Sequence, residues 1–181
     1  MSADEKAALR AQALAARGAG GDQAALTRHL VAALAPHAGA LLAGYWPMRD
    51  EADPRPAMAA HDGPLCLPVV PGRAMPLVFR AWDGDPASLV AGPFGTSHPP
   101  ESAPIVRPDV LIVPLAGFDL SGHRIGYGGG YYDRTLQMLR GIGRVTAIGC
   151  GFACQKLPPI PAGPHDQPLD MIVTDAETLT I

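Results

Sequence analysis

Between two apolar runs, residues 110–113 and 145–149, the chain carries Arg124, Ile125, Gly126, Tyr127, Gly128, Gly129, Gly130, Tyr131, Tyr132, Asp133 and Arg134 in succession. After the glycines, residues 131–140 place apolar Tyr132, Leu136 and Leu139 at helical spacing. Strand, glycine loop, helix and strand in that order predict a crossover unit of a parallel sheet. Gly126, Gly128, Gly129 and Gly130 leave the loop without Cβ atoms, so its N–H groups are free to converge on one anion. A helix beginning there adds the positive end of its dipole. Arg124 and Arg134 bracket the loop with full charges, and Asp133 offers a hard oxygen to a magnesium ion. The pattern predicts phosphate binding, although the glycines alone read equally well as a flexible turn. The loop lacks the Gly-Lys-Ser/Thr ending of a P-loop, and Tyr131 stands where a dinucleotide fingerprint needs a small residue.

The rest of the chain predicts an α/β fold: a single three-layer domain over residues 1–181 with a mostly parallel, Rossmann-like sheet flanked by helices. Ser2 and Glu5 have the spacing of a capping box for a helix reaching about Arg17. Glycines 18, 20 and 21 stop it, and Asp22 caps a second helix through Leu26, Leu30 and Leu34. Further strands are expected at residues 40–45, 65–70, 77–81 and 171–174. Several are continuous apolar runs, as suits strands covered on both faces. Residues 83–107, rich in Pro, Gly and Ser, read as a long functional loop or lid. Ligands are expected at the carboxyl ends of the strands.

Composition narrows the possible partners. A net charge of −3 argues against nucleic acid held by bulk electrostatics. No apolar run is long enough to span a membrane, and the acidic start lacks the apolar centre of a secretory signal. Three cysteines at this spacing form neither a disulfide framework nor a redox pair, which suits free thiols in a reducing cytoplasm.

The segment from Asp109 to Asp119, followed by Gly122 to Arg134, resembles the signature of the 5-formyltetrahydrofolate cyclo-ligases, also called methenyltetrahydrofolate synthetases. The likeness extends over nearly the whole chain, through Lys6 to Arg10, Gly44 to Asp53, Phe79 to Trp82, Gly92 to Gly95, Gly151 to Gln155, and His165-Asp166 with the run to Thr174. It implies a cytoplasmic monomer or weak homodimer with ATP as co-substrate and magnesium as metal. The implied reaction closes 5-formyltetrahydrofolate to 5,10-methenyltetrahydrofolate by phosphorylating the formyl oxygen and releases ADP and phosphate.

Carried over residue by residue, the resemblance gives the nucleotide to Lys6, Ala7, Ala8, Leu9 and Arg10 and to the loop Arg124 to Tyr132. Arg134 and Lys6 take the catalytic role of steadying the moving phosphoryl group. Asp133 and Asp166 become the magnesium carboxylates, and Glu51 with Tyr131 the folate contacts. Each assignment has a plainer reading from the residues alone. Lys6 and Arg10, four apart, also read as a solvated helix face. Asp133 also reads as a first-turn helix acid, Asp166 as a turn residue, and Glu51 as a loop acid. Tyr45, Trp46, Phe94, Phe118 and Tyr131 read as ring walls or as core, and His165 as orienting Asp166 or as a turn residue. His29, His37, His61 and His123 show no metal-ligand spacing.

One position departs from the resemblance. Where the family carries a glutamate before proline in the long middle loop, this chain has His98 before Pro99, with Glu101 nearby. An imidazole changes charge and hydrogen-bond polarity there. The departure motivates an alternative, a non-catalytic or altered-activity relative that binds folate or nucleotide. A sugar-phosphate or acyl-group enzyme on a similar fold is a third reading, by analogy alone.

Overall fold

Local signals explain where the helices begin and end. The computed structural model describes residues 3–181; Ser2, half of the expected capping box, lies outside them, as does the side chain of Phe94. Helix α1 (Ala3–Arg17) stops at the glycine cluster. Helix α2 (Gln23–Leu34) starts as expected, with the Asp22 carboxylate accepting the Ala25 N–H at 2.9 Å. A short α3 (Arg55–Ala59) has too few residues to show a helical period, and sequence reading passed over it. Helix α4 (Tyr131–Ile142) follows the glycine loop.

In chain order the strands are β1 (Leu42–Ala43), β2 (Leu65–Val69), β3 (Val78–Trp82), β4 (Val90–Ala91), β5 (Ser97–His98), β6 (Ile105–Val106), β7 (Val110–Pro114), β8 (Gly117–Phe118), β9 (Arg124–Ile125), β10 (Thr146–Cys150), β11 (Met171–Val173) and β12 (Thr178–Thr180). One sheet takes eight of them in the order β12, β11, β10, β7, β1, β2, β3, β6. Its centre, from β11 to β2, is parallel, while β12, β3 and β6 add antiparallel edges. Strand β7 lies beside β10 in parallel, so the crossover through the glycine loop and α4 forms as the sequence predicts. Residues 83–107 are more ordered than a plain loop. Strands β4 and β5 pair as a hairpin there, and β6 joins the sheet edge beside β3.

Alternation along the central strands builds two cores. Leu42, Leu67, Val110, Ile112 and Ile148 face Leu26, Leu30, Ala57 and Met58 of α2 and α3. Ala43, Cys66, Leu111, Val113 and Ala147 face Leu136 and Leu139 of α4. Each fully buried Leu or Ile contributes roughly 2 kcal/mol of transfer free energy. Helix α1 lies instead over the β8–β9 ribbon, where Ala13 packs with Ala116, Ile125, Leu157 and Ile160. No described helix is long and apolar enough to cross a membrane.

Candidate functional site

Strand order reverses between β1 and β7, because β2 extends the sheet on one side and β10 and β11 on the other. Crevices at such a reversal, beyond the carboxyl ends of the strands, are where open α/β sheets bind ligands. Three connections meet that edge. The loop after β1 carries Met48 to Glu51, the ribbon after β7 leads into the glycine loop, and the loop between β10 and β11 carries Asp166.

Residues 126–129 of the glycine loop are exposed. Gly128 has φ +92° and Gly130 φ +64°; a Cβ on Gly130 would lie 2.8 Å from Arg134 Nη1. Both conformations strain any L side chain, so glycine is a requirement here. Gly130 caps α4 without a side-chain bond, and no hydrogen bond among the described residues uses an N–H from Gly126 to Asp133. Those donors run into the N-terminus of α4, the positive end of its dipole.

Cations hold the loop from outside. Arg10 Nε donates to the Gly126 carbonyl at 2.7 Å, and Arg134 Nη2 donates to the Gly129 carbonyl. The Arg134 guanidinium stands 5.5 Å from the Tyr131 ring centroid, and its Nε is buried without a partner. Arg124 donates through Nη1 to the Gln167 carbonyl and through Nη2 to Asp133 Oδ1 at 2.7 Å. Burial depresses the Arg124 pKa and the Asp133 charge opposes that; an arginine so placed stays protonated.

Lys6 Nζ reaches 160 residues along the chain to Asp166 Oδ2, at 2.8 Å. The same oxygen accepts the Gly163 N–H at 2.8 Å. Burial pushes the Asp166 carboxyl up, but the Lys6 and Gly163 bonds with the Lys6 and Arg124 charges outweigh it and hold the pKa below its ordinary value. Asp133 Oδ1 also accepts the Gln167 N–H, at 3.0 Å. Neither Asp133 Oδ2 nor Asp166 Oδ1 takes part in these bonds. Two carboxylates, each with such an oxygen, beside free backbone donors fit a magnesium ion, which completes its shell with phosphate oxygens and water. Among the described residues no trio of His, Cys, Asp or Glu forms a closed protein cage. Ala7 and Ala8 are exposed, and Leu9 packs against the α1 core.

Glu51 lies across the crevice. Its Oε2 accepts the Met48 N–H at 2.7 Å, while Oε1 is buried without a partner among the described residues. Burial pushes the carboxyl above its ordinary value, against the lowering influence of Met48, Tyr127 and Arg17. The Tyr127 hydroxyl acts electrostatically on Glu51 but makes no hydrogen bond of ordinary geometry to Oε1. A carboxyl with a raised folded-state pKa stabilises the fold below its unfolded pKa and loses that contribution as pH rises through the folded value. Glu51→Gln is therefore expected to melt at a higher temperature than the parent at pH 8. The difference should close below the ordinary value of 4.5, as followed by circular dichroism across pH.

Other expectations resolve differently. Tyr45 and Phe118 are core residues, 3% and 1% exposed, and Tyr45 donates its hydroxyl to the Ala52 carbonyl at 2.6 Å. Neither forms a ring wall, because both lie inward of the sheet edge. Trp46 packs edge-on to Trp82 at 6.3 Å and beneath Arg55 at 4.6 Å. His165 is exposed, and Asp166 is oriented by Lys6 and Gly163 instead. His29 and His61 are satisfied by the Thr174 and Ala40 carbonyls at 2.8 and 2.9 Å. His98 Nδ1 bonds locally to the Pro99 carbonyl at 2.9 Å. Sequence reading missed Arg17, which is only 2% exposed and bonded twice to Asp50. A signal existed: Lys6, Arg10, Ala13 and Arg17 share one stripe of α1, and Ala13 marks that stripe as buried.

This arrangement has counterparts. The chain is 42% identical to the 5-formyltetrahydrofolate cyclo-ligase of Escherichia coli (strain K12) over 74 residues, 41% of this chain and 40% of that protein. It is 36% identical to the enzyme of that name from Mycolicibacterium smegmatis over 116 residues, 61% and 59% of the two chains. These matches thus span between two fifths and three fifths of the curated relatives. The NMR structure of Aquifex aeolicus 5,10-methenyltetrahydrofolate synthetase superposes with a TM-score of 0.77 at 27% identity, covering 97% of this chain and 92% of that one. The synthetase of that name from Mycoplasma pneumoniae gives 0.72 at 25% identity, covering 94% and 98%. With the fold shared and the family model matching residues 3–175, the chain belongs to the 5-formyltetrahydrofolate cyclo-ligase family.

Proposed function

We propose that the chain is an ATP- and magnesium-dependent ligase that closes 5-formyltetrahydrofolate to 5,10-methenyltetrahydrofolate with release of ADP and phosphate. One observation carries the reading: a loop of unengaged backbone donors and a half-buried acid, Glu51, with one oxygen buried and unpartnered, share the crevice where strand order reverses. The first suits a triphosphate, the second a nitrogen-rich ring. Free buried thiols, Cys66 and Cys150, suit a reducing cytoplasm as its place of work.

The chemistry explains why both halves are needed. A formyl oxygen on N5 belongs to an amide and leaves poorly. Its attack on the γ-phosphorus, with ADP departing, makes it part of a phosphate leaving group. The N10 amine then bonds to the formyl carbon and loses its proton, and breaking the carbon–oxygen bond expels phosphate. Loop N–H groups with Arg10 and Arg124 would hold the triphosphate in line, while Lys6 and Arg134 would steady charge on the transferring group. A magnesium ion on Asp133 and Asp166 would supply further neutralisation of the phosphate oxygens. Tyr131, on the first turn of α4, would border the folate opposite Glu51.

Purified protein mixed with 5-formyltetrahydrofolate, ATP and magnesium is expected to generate the absorbance of the methenyl product. Folded protein that generates none overturns the reading. Binding of the folate without turnover, with turnover gained by His98→Glu, would favour the altered-activity alternative.

A further inference from the structure

Two of the buried polar atoms without partners border the same space. Arg17 directs Nε and Nη2 to Asp50 Oδ1 at 3.0 and 2.6 Å, which leaves Nη1 buried and unpartnered. Glu51 uses Oε2 on the Met48 N–H, which leaves Oε1 in the same condition. An orphan donor or acceptor of this kind costs about 1–3 kcal/mol. No ion pair joins the opposite charges, and Tyr127 neighbours both. Its ring centroid is 5.7 Å from the Arg17 guanidinium carbon, and its hydroxyl lies within hydrogen-bonding influence of both groups, although neither Arg17 Nη1 nor Glu51 Oε1 gains a partner of ordinary geometry from it. Tyr127 itself is 43% exposed and sits between Gly126 and the left-handed Gly128, so its side chain has open space to turn into.

A buried donor beside a buried acceptor is the complement of a ring edge that presents a carbonyl oxygen next to an N–H. The 4-oxo, N3–H edge of a reduced pterin is such an edge. We propose that Arg17 is a specificity-determining residue: Nη1 donates to the 4-oxo oxygen while Glu51 Oε1 accepts the neighbouring N–H, and Tyr127 turns aside to admit the ring. This rests on the folate reading above and extends it to a residue on α1. Replacing the oxygen by an amino group would set donor against donor at Arg17, so the pocket discriminates by repulsion as well as attraction.

The test uses calorimetry on the full chain with two probes, 5-formyltetrahydrofolate and its 4-amino-4-deoxy counterpart. The parent should bind the 4-oxo probe at least ~100-fold more tightly, in line with sites built around a substrate hydrogen bond. Arg17→Lys keeps a charge for Asp50 but lacks a second arm, so it should weaken the 4-oxo probe ~10-fold or more and spare the 4-amino one. Arg17→Met should do the same if it folds, and unchanged MgATP affinity in either variant certifies the fold. Equal weakening of both probes, or of neither, overturns the assignment of Arg17 alone. Failure of the parent to bind either probe overturns the folate reading and this proposal with it.

Discussion

Asp133→Asn is expected to lower kcat by roughly 10²–10³-fold, the loss typical of removing one charge-stabilising group from a transition state. The substitution is chosen to keep geometry. An asparagine carbonyl still accepts from Arg124 Nη2 and from the Gln167 N–H, the two bonds that now fix Asp133 Oδ1. What disappears is the negative charge and the Oδ2 oxygen. Affinity for MgATP, read by calorimetry, should fall with the rate, whereas metal-free ATP should bind no worse to a site with one acid fewer. Unchanged MgATP affinity would remove Asp133 from the metal site.

The second large effect concerns stability. Arg124 is 5% exposed at its side chain, pairs with Asp133, and lies within electrostatic reach of Asp166. Arg124→Met leaves those acids facing each other with the cation gone. Breaking a buried pair from one side costs about 3–5 kcal/mol, which for a chain of this size lowers Tm by roughly 10 °C. The sign with pH follows. Asp166 is held below its ordinary pKa, a contribution present at neutral pH and lost as pH falls through the folded value. The variant's deficit should therefore hold from pH 7 down to about pH 4 and shrink only as pH falls below the ordinary value of 3.8. Thermal melts at about pH 7 and about pH 3 decide it; a deficit unchanged between them would mean that Arg124 acts through packing alone.

What the sequence made legible was local. The crossover around the glycine loop could be read because glycines, an amphipathic helix and two apolar runs lie within a short stretch, and it formed with β7 beside β10. The Asp22 cap was legible for the same reason. Contacts set by packing were not. The α1 stripe hints that Arg17 is covered, but nothing local names Asp50 as its partner, and nothing in Tyr45 or Phe118 separates a ring wall from a core ring. Strands β6 and β12 and helix α3 are too short for a periodic signal. The candidate site mixes both kinds: its loop is written in one place, while its ion pairs join distant ones.

That last property bears on the order of assembly. Lys6 waits for Asp166, the Asp22 N–H for the Asp175 carboxylate at 3.0 Å, and His29 for the Thr174 carbonyl. During synthesis, α1 leaves the ribosome long before the segment that anchors it. Closure of the candidate site is therefore a late event in folding, reached only when the last parallel strand is laid down. A nascent chain stalled before residue 160 would carry the complete glycine loop and still lack the grip that closes it.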